Sequence, residues 1–429
     1  MNNNTIIQRH FHISPSQAIP ENSLPLTHFD LQWLNFHPLH RLLFYPFTCS
    51  TPHFIATILP ALKQSLSLTL NHFFPLAGNL LYPLATGGMP LLRYRPGDSV
   101  SLTITTSNNI SDFYTLSENQ NRDADKFYDY VPRLPLPVNE PGLKITPVLA
   151  IQVTLFPETG ICIGITNDHA VADAASIVCF LKAWGLINKL GGDKRFVARP
   201  VYDRSAVSDP GGLAVKRWNH VKIRGSMLWV FVTDRQPSLV HLSSFTIASS
   251  LVWTCYVKSE SLCQEGITDD ESEYFAFVAD ARSRSNPPLP QTYFGNCLAS
   301  GFIVESTHGQ LKGDEGFLVA VELIGELIRK KANDEKEIFI DVEDWMTNYE
   351  GLSGKRVFGV AESTKLDIYG IDYGWGRPKK FEPVFIDRDR YSMSLVKSRD
   401  FEGGLEIGLS LPISLMDAFA GFFADGLKK

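Results

Sequence analysis

Two residues with side chains suited to proton transfer, His169 and Asp173, stand four positions apart near the middle of this 429-residue chain. An imidazole with a pKa near neutrality can take a proton from a hydroxyl group and later return it to a leaving thiolate. Asp173, about one helical turn further on, could fix the loop or orient the imidazole. Alternatively, His169 is a hydrogen-bonded core histidine and Asp173 only caps a helix that begins at Ala174. The spacing alone leaves both interpretations open.

Other kinds of catalytic site fit this segment less well. Asp168, His169 and Asp173 supply few ligands for a metal ion, and no second histidine lies nearby in the sequence, so no metal is expected. A serine hydrolase of the α/β type is disfavoured because the chain contains no GxSxG segment. The six cysteines form no CxxC pair, which disfavours a zinc knuckle or a disulfide framework and favours reduced, mostly buried thiols.

Two further segments combine glycine with aromatic residues. Residues 372–376 read DYGWG, in which two glycines around a tryptophan permit a sharp turn and a close approach of the main chain. Residues 293–297 read YFGNC, with a glycine between aromatic residues and an amide. By itself, DYGWG is also plausible as a structural loop, and YFGNC indicates only a strand–turn segment.

Hydrophobic periodicity places the histidine at the end of a strand. Residues 148–156 and 161–165 alternate apolar side chains around a turn at 157–160, which predicts a largely buried hairpin. Apolar residues then recur at helical spacing from 177 to 184, and Gly191 and Gly192 close that helix. His169 and Asp173 lie in the link between this strand and this helix, a common place for a reactive side chain.

The rest of the chain alternates predicted helices and strands. A helix is expected over 51–70, kinked or broken at Pro60. Further helices are expected at 243–256, 316–331 and 413–423, and strands at 274–278, 380–386 and 405–411. This mixture predicts two α/β domains of similar size, residues 1–192 and 235–429, joined by a polar crossover at 193–234.

Taken together, the three motifs resemble the plant BAHD acyltransferases, which use acyl-CoA thioesters. The marks of that family are HxxxD at mid-chain and DFGWG near the carboxyl end, here with Tyr373 in place of the phenylalanine. The YFGNC segment is typical of the clade that acylates sugars of anthocyanins, flavonoids and other phenolic glucosides. The resemblance also includes LPLTHFD at 24–30 and HFFPLAG at 72–78, and it covers nearly the whole chain.

The resemblance implies a fold like that of chloramphenicol acetyltransferase, with a solvent channel between two domains that CoA and the acceptor enter from opposite faces. His169 would be the general base and Trp375 a candidate donor to the tetrahedral oxyanion. Asp372 is often grouped with the active site of the family. Structural support of the site would come from Asp173, Gly374, Trp375 and Gly376. Contact with acyl-CoA would come from Tyr293, Phe294, Gly295, Asn296 and Cys297.

Malonyl transfer is common within this clade. A malonyl group carries a carboxylate, so its pocket should contain a cation, preferably a guanidinium. Arg41 and Arg282 lie in stretches that resemble the donor site of the malonyltransferases, although either could be an ordinary surface arginine. The expected acceptor is a sugar hydroxyl of a phenolic, flavonoid or anthocyanin glucoside. A coumaroyl donor would instead need an apolar slot.

Three features depart from the family pattern. Ala174 stands where the family usually has glycine, and a positive φ there would strain an alanine by about 1 kcal/mol or more. Asp168 precedes the histidine, and a carboxylate so close would raise the imidazole pKa by favouring its charged form. Residues 215–239 are shorter than expected before the next helix. These departures motivate a second hypothesis, a weakened relative that binds CoA or a glycoside without turnover; a condensation-type domain is a third.

Composition limits the partners. The formal net charge is −6 and there is no long cationic run, which disfavours binding to nucleic acid or to an anionic membrane by bulk charge. No apolar run reaches the roughly 18 residues of a membrane span, and the amino terminus lacks the pattern of a secretory signal. We therefore expect a cytoplasmic monomer whose substrates are an acyl-CoA and a glycoside, without a metal or redox cofactor.

Overall fold

A computed structural model of the chain describes residues 9–84, 88–193, 195, 197–224, 242–332, 354–387 and 392–428. Its strands, in chain order, are β1 Arg9–Ile13, β2 Asn22–Pro25, β3 Leu39–Pro46, β4 Asn79–Pro83, β5 Leu91–Tyr94, β6 Val100–Thr106, β7 Val138–Glu140, β8 Leu143–Pro147, β9 Leu149–Phe156, β10 Gly160–Asn167, β11 Ser272–Asp280, β12 Leu298–Thr307, β13 Arg356–Ala361, β14 Lys380–Pro383, β15 Ser392–Lys397 and β16 Leu405–Leu409.

The α-helices of the described residues are α1 His28–Leu31, α2 Thr51–His53, α3 Leu59–Leu70, α4 Ile110–Ser117, α5 Ala174–Lys189, α6 Leu213–Arg224, α7 Ser244–Cys263, α8 His308–Lys312, α9 Gly316–Ala332 and α10 Ile413–Gly426. Short 3₁₀ turns lie between several of these elements. The predicted hairpin and the predicted helices beginning near 174, 243, 316 and 413 are confirmed, as is the mixed α/β class.

Contacts between residues of the chain divide the molecule into two compact units. The first comprises residues 1–225, 290–296 and 365–385, and the second comprises residues 226–289, 297–364 and 386–429. This division differs from the linear boundaries expected from the sequence. The DYGWG segment and most of YFGNC belong to the first unit, because residues 365–385 supply β14 to its sheet and residues 290–296 pack within it. The crossover expected at 193–234 also belongs to the first unit up to residue 225.

The first unit is built on a six-stranded mixed sheet with the order β1-β6-β9-β10-β3-β14. The two central strands, β9 and β10, are buried along their whole length, as their apolar alternation predicted. β10 runs antiparallel to β3, with Ile165 opposite Arg41 and Asn167 opposite Leu39. The carboxyl end of β10 therefore lies beside the beginning of β3. A second sheet of this unit has the order β2-β5-β4-β8-β7.

The second unit contains a five-stranded mixed sheet with the order β12-β11-β13-β15-β16. The long helix α7 packs against α9 and α10. It also contacts the sheet, where the rings of Trp253 and Phe275 lie with centroids 5.4 Å apart. Helices on a sheet with mixed strand directions complete the mixed α/β class of this unit.

The helical stretch 51–70 continues through Pro60, where the sequence predicts a kink or a break. A proline has no N–H to donate to the carbonyl four residues earlier. The chain accommodates this with a π-helical turn, Phe54–Ile58, in which the Leu59 N–H donates to the carbonyl of Phe54. Helix α3 then begins at Leu59 with Pro60 in its first turn, where no N–H is needed.

Two other predictions are changed by the structure. The strand expected at 380–386 ends at Pro383 and continues as a 3₁₀ turn, because proline cannot donate to the ladder. The short segment 215–239 begins within α6, which ends at Arg224. The remainder of the segment, from residue 225 onward, lies outside the described residues. No disulfide bond joins the six cysteines, all of which lie in the described ranges.

Candidate active site

His169 lies two residues after the end of β10, in the tight link to α5. Its side chain is only 7 % exposed. The indole of Trp33 stacks on the imidazole with a centroid distance of 3.8 Å and an interplanar angle of 5°. The ring of Phe36 meets it edge-on at 5.4 Å. The imidazole is thus held by aromatic side chains from the segment that follows α1.

These surroundings favour the neutral imidazole. Burial lowers the pKa of His169 to about 3. The main-chain carbonyl of His169 and the carboxylate of Asp173 act in the opposite direction, whereas the positive charges of Arg41 and His37 lower the pKa further. A neutral imidazole has a lone pair available to accept a proton, as a general base requires.

Asp173 is buried and caps the amino-terminal end of α5. Its Oδ1 accepts a hydrogen bond of 2.9 Å from the Ser176 N–H, which makes it the N-cap of α5. The capping interpretation of Asp173 is therefore confirmed, and its charge also acts weakly on the imidazole. Ala174 is the first helical residue, and within the described chain the non-glycine residues with positive φ are Glu158 and Glu362. The expected strain at Ala174 is therefore absent.

The carboxylate of Asp168 does not act on the imidazole as the sequence suggested. Its Oδ1 accepts a hydrogen bond of 2.9 Å from the Ala170 N–H, so it closes the turn. Burial raises the pKa of Asp168 itself to about 6. The pKa of His169 is lowered, not raised, and the charges that affect it are those of Arg41, Asp173 and His37.

Arg41 lies at the same end of the sheet as the histidine. Strand β3 places it opposite Ile165. Its Nη1 donates to Oδ1 of Asn167 at 3.0 Å, and its guanidinium lies 5.4 Å from the ring centroid of Phe385. It is 2 % exposed, so the alternative of an ordinary surface arginine is wrong for Arg41.

Arg282 is a member of the second unit. It is buried, and its Nη1 pairs with Oδ1 of Asp280 at 3.0 Å. Its main-chain carbonyl accepts from the Leu289 N–H at 2.8 Å. Surface placement is therefore wrong for Arg282 as well, and its expected part in donor binding stays a prediction.

The YFGNC segment reaches the histidine through Asn296. The Nδ2 of Asn296 donates to the main-chain carbonyl of His169 at 2.8 Å and to Oδ1 of Asp30 at 3.1 Å. Tyr293 accepts a hydrogen bond of 2.6 Å from Arg204. Phe294 packs in the core of the first unit. Cys297 is the first residue of the segment 297–364, which belongs to the second unit. These contacts are internal, and the expected role of the segment in acyl-CoA binding stays a prediction.

The DYGWG segment is placed away from the histidine, at the other end of α5. Oδ2 of Asp372 pairs with Lys189 at 2.7 Å, and its Oδ1 accepts from the N–H groups of Gly374 at 2.8 Å and Gly376 at 2.9 Å. Lys189 ends the 16-residue helix whose N-cap is Asp173. At 1.5 Å per residue these ends are about 24 Å apart. The structure therefore does not bring Asp372 to His169, contrary to its grouping with the catalytic residues.

Trp375 is also remote from the imidazole. Its ring packs against Phe47 at 5.4 Å, against Tyr45 at 5.7 Å and against Tyr373 at 5.4 Å. These contacts hold it in the DYGWG loop, so it is not placed to donate to an oxyanion at His169. Gly374 and Gly376 have φ of 94° and 88°, which explains the two glycines and agrees with the structural role expected of the loop.

Three residues of the site went unrecognised in the sequence: Asp30, Trp33 and Arg204. The Thr27–Asp30 pair has the spacing of a capping box, and both of its hydrogen bonds form, so the LPLTHFD segment carried a usable signal. Trp33 follows it by three residues. Arg204 lay in the polar stretch interpreted as a crossover, and nothing in its local pattern distinguishes it.

A row of side chains in the second unit has the residue types of a hydrolytic triad. Ser261 Oγ lies 2.6 Å from Nε2 of His308, whose Nδ1 lies 2.7 Å from Oε1 of Glu273. Oε1 of Glu273 also pairs with Nε of Arg356 at 2.7 Å. Ser261 lies near the carboxyl end of α7, where helix carbonyls concentrate negative charge, the opposite of what an oxyanion needs. The row is best explained as a buried ion-pair network.

Comparison with a solved structure shows the fold of the chain, and a family profile shows its class. The chain superposes on the crystal structure of vinorine synthase with a TM-score of 0.69, over 96 % of each chain at 20 % identity, which shows a common fold. The sequence profile of the Transferase family matches residues 5–228 and 232–424. The chain therefore belongs to this family, the BAHD acyltransferases, and is an acyltransferase.

The similar curated proteins are plant enzymes. Phenolic glucoside malonyltransferase 1 of Nicotiana tabacum is 45 % identical, over 97 % of this chain and 97 % of its own. The malonyl-coenzyme:anthocyanin 5-O-glucoside-6'''-O-malonyltransferase of Salvia splendens is 42 % identical, over 99 % and 96 %. A coumaroyl-CoA:anthocyanidin 3-O-glucoside-6''-O-coumaroyltransferase of Arabidopsis thaliana is 32 % identical, over 97 % and 96 %. None of the helices in the described ranges has the length and apolar character needed to cross a membrane.

Proposed function

We propose that this protein transfers a malonyl group from malonyl-CoA to a sugar hydroxyl of a phenolic, flavonoid or anthocyanin glucoside, with His169 as the general base. The observation that carries the proposal is a neutral imidazole at the end of β10 with the guanidinium of Arg41 on the neighbouring strand. The names of the relatives with 45 % and 42 % identity support the donor and the acceptor class.

The proposed reaction converts the thioester of malonyl-CoA and a sugar hydroxyl into an oxygen ester and free CoA, through one tetrahedral intermediate. The imidazole of His169 takes the proton of the sugar hydroxyl while the oxygen attacks the thioester carbonyl. Collapse of the intermediate breaks the carbon–sulfur bond, and the imidazolium returns the proton to the leaving thiolate. No electron is gained or lost, and the transfer as proposed uses no metal or redox cofactor.

Arg41 is the better placed of the two proposed carboxylate-binding residues. Its charge acts directly on His169, and it lies within the unit that contains the base. A guanidinium presents paired donors that match a carboxylate. Because its positive charge also lowers the pKa of His169, Arg41 would serve both donor recognition and the neutrality of the base.

The alternatives make different demands on the structure. A weakened, non-catalytic relative was suggested by Ala174, Asp168 and the short segment 215–239. Ala174 and Asp168 are accommodated without strain or charge effects at the imidazole, and most of the short segment lies outside the described residues. A coumaroyl donor has no carboxylate for a guanidinium to bind. The proposal also keeps the protein a cytoplasmic monomer that acts on small molecules. Its net charge of −6 disfavours binding to nucleic acid or to an anionic membrane by bulk charge.

The test is a donor comparison. Purified protein is incubated with malonyl-, acetyl- or coumaroyl-CoA and a flavonoid or phenolic glucoside, and products are identified by mass. Malonylated glucoside as the main product supports the proposal. A folded protein that binds CoA yet forms no product with any donor would overturn it, and a preference for coumaroyl-CoA would replace the donor. His169→Ala should abolish turnover; full activity of that variant would refute the base.

Arg41→Ala tests the carboxylate-binding role. Malonyl transfer should fall far more than acetyl transfer, because only malonyl-CoA carries the second carboxylate. Arg95→Ala is a suitable control, since Arg95 pairs with Glu21 at an exposed position. Equal losses with both donors would remove the specificity role of Arg41.

A further inference from the structure

We propose that Asp30 and Asn296 act together as positioning residues for the imidazole of His169. The proposal rests on the assignment of His169 as the base. It gives the YFGNC segment a function different from the acyl-CoA contact that the resemblance implies. Asp30, His169 and Asn296 all belong to the first unit.

The amide of Asn296 joins the catalytic loop to a buried carboxylate. Its Nδ2 donates to the carbonyl of His169 at 2.8 Å and to Oδ1 of Asp30 at 3.1 Å. Its main-chain N–H donates to the same Oδ1 at 2.9 Å. Both amide hydrogens are thereby given fixed directions, and one of them points at the main chain of the base.

Asp30 is itself held rigidly. It is 0 % exposed, and its Oδ2 accepts from the Thr27 N–H at 2.9 Å and from the Thr27 hydroxyl at 2.8 Å. Nη1 of Arg204 lies 3.7 Å from the same oxygen. A buried carboxylate held by this many donors keeps its place, so it can orient the amide that it binds.

The main chain before Asn296 is also fixed. Gly295 has φ of 140°, and a side chain there would collide with the guanidinium of Arg204. The Ser176 hydroxyl donates to the Gly295 carbonyl and accepts from its N–H, each at 3.1 Å. Ser176 is the residue whose N–H is capped by Asp173. The glycine and the amide of the motif are therefore explained by geometry around the helix start.

The imidazole is positioned from two directions as a result. The Asn296 amide holds the carbonyl of His169 and so fixes the main chain from which the imidazole extends. Trp33 fixes the plane of the ring by stacking on it at 3.8 Å. A misplacement of about 1 Å at a reacting group can lower a rate a hundredfold. Asn296 thus acts on catalysis through His169 and need not touch either substrate.

The test separates positioning from donor binding. Asn296→Ala should lower kcat about ten- to a hundredfold with little change in the KM for acyl-CoA. Asn296→Asp should lose at least as much, because it removes the donor and sets a second carboxylate against Asp30. Asn188→Ala is the matched control: Nδ2 of Asn188 donates to the Tyr373 carbonyl at 2.7 Å, near the other end of α5, and its kcat should be unchanged.

A milder variant covers the case in which Asn296→Ala does not fold. Thr27→Val removes one donor to Asp30 and should lower kcat by a smaller factor, with the KM for acyl-CoA unchanged. The pH profile of kcat/KM gives a second readout, because burial lowers the pKa of His169 and an imidazole that is no longer held in place loses part of that burial. The acid limb of kcat/KM should therefore lie at higher pH in Asn296→Ala than in the parent, and a merely structural role would leave it unmoved.

Failure of this inference is distinct from failure of the proposed function. A raised KM for acyl-CoA with normal kcat and an unmoved pH profile would assign YFGNC to donor binding and overturn the positioning role. Full activity of His169→Ala would instead overturn the base, whatever the Asn296 variants do.

Discussion

Burial and the charges of Arg41 and His37 keep the imidazole of His169 in its neutral form well below the pKa of a free histidine. A free imidazole with a pKa near 6.5 is about 97 % protonated at pH 5. In this site the base would still be unprotonated there. The reactivity of the residue is therefore set by the side chains around it.

The pH dependence of kcat/KM follows from this. Because the pKa of His169 is about 3, kcat/KM should stay nearly level as the pH falls from about 8 to about 5. The measurement is kcat/KM over that range in mixed buffers, with activity after return to neutral pH as the control for inactivation. A fall with a midpoint near 6.5 would show that the imidazole is solvated in the working enzyme.

Tyr373 carries a hydroxyl that the fold does not use. Its side chain is 1 % exposed, and its OH is buried with no hydrogen-bond partner among the described residues. Burial raises the pKa of Tyr373 well above its ordinary value. A buried hydroxyl without a partner costs about 1–3 kcal/mol.

Tyr373→Phe should therefore leave the free energy of unfolding unchanged or raise it by about 1 kcal/mol, with full activity. Tyr45→Phe is the control, because the Tyr45 hydroxyl donates to the Ile371 carbonyl at 3.1 Å, and its loss should destabilise by a similar amount. Urea denaturation of both variants checks this. A marked destabilisation by Tyr373→Phe would mean that the hydroxyl has an important partner.

At the scale of elements, α5 separates two motifs that the sequence would group together. Its N-cap is Asp173, four residues after His169, whereas its last residue, Lys189, binds Asp372. Gly185 permits the close approach, since a Cβ there would stand 2.9 Å from the Asp372 carbonyl oxygen. The DYGWG loop thus braces the far end of the helix that positions the active site.

Asp372→Ala should destabilise the protein and spare its chemistry. The carboxylate accepts hydrogen bonds from two main-chain N–H groups and pairs with Lys189. Burial alone would raise the pKa of Asp372, but these bonds outweigh it and the pKa is lowered. Removing the carboxylate should lower the free energy of unfolding by about 1–3 kcal/mol with kcat nearly unchanged. Thermal unfolding and kcat of the purified variant test this. A large loss of kcat at normal stability would restore the catalytic assignment.

At the scale of the whole molecule, four buried groups link stability to pH in opposite directions. Burial lowers the pKa of His28 and of His169 to about 3. Burial also raises the pKa of Asp168 to about 6 and that of Glu260 to about 7. As the pH falls below 6.5, the two histidines bind protons mainly in the unfolded state, which lowers the free energy of unfolding. Over the same range the two carboxyl groups bind protons mainly in the folded state, which raises the free energy of unfolding as the pH falls.

Removing one histidine should expose this balance. In His28→Gln the difference in free energy of unfolding from the parent should move in favour of the variant by about 1.4 kcal/mol per pH unit below 6.5. The reason is that the unfolded parent gains a proton at His28 that the folded parent, with a pKa near 3, refuses. Urea denaturation at several pH values between about 4.5 and 7.5 measures it. A difference that does not change with pH would show that His28 is protonated in the folded state.

Local patterns were enough to predict much of this protein. Alternating apolar residues predicted β9 and β10, and helical spacing predicted α5, because both periodicities follow from short-range geometry. The capping of α5 by Asp173 was readable for the same reason. The three motifs together were enough to indicate the family that the comparisons confirm.

Contacts between distant segments were decided by the tertiary structure alone. Asp30 and Asn296 are 266 positions apart, and Asn296 and His169 are 127 apart, so no local rule could join them. The neutrality of His169 depends on burial, which packing creates, and the distance of Asp372 from it depends on the length of α5. Residue types and spacing fixed the chemistry available to the chain. Desolvation and long-range packing determined which of those residues meet and which charge they carry.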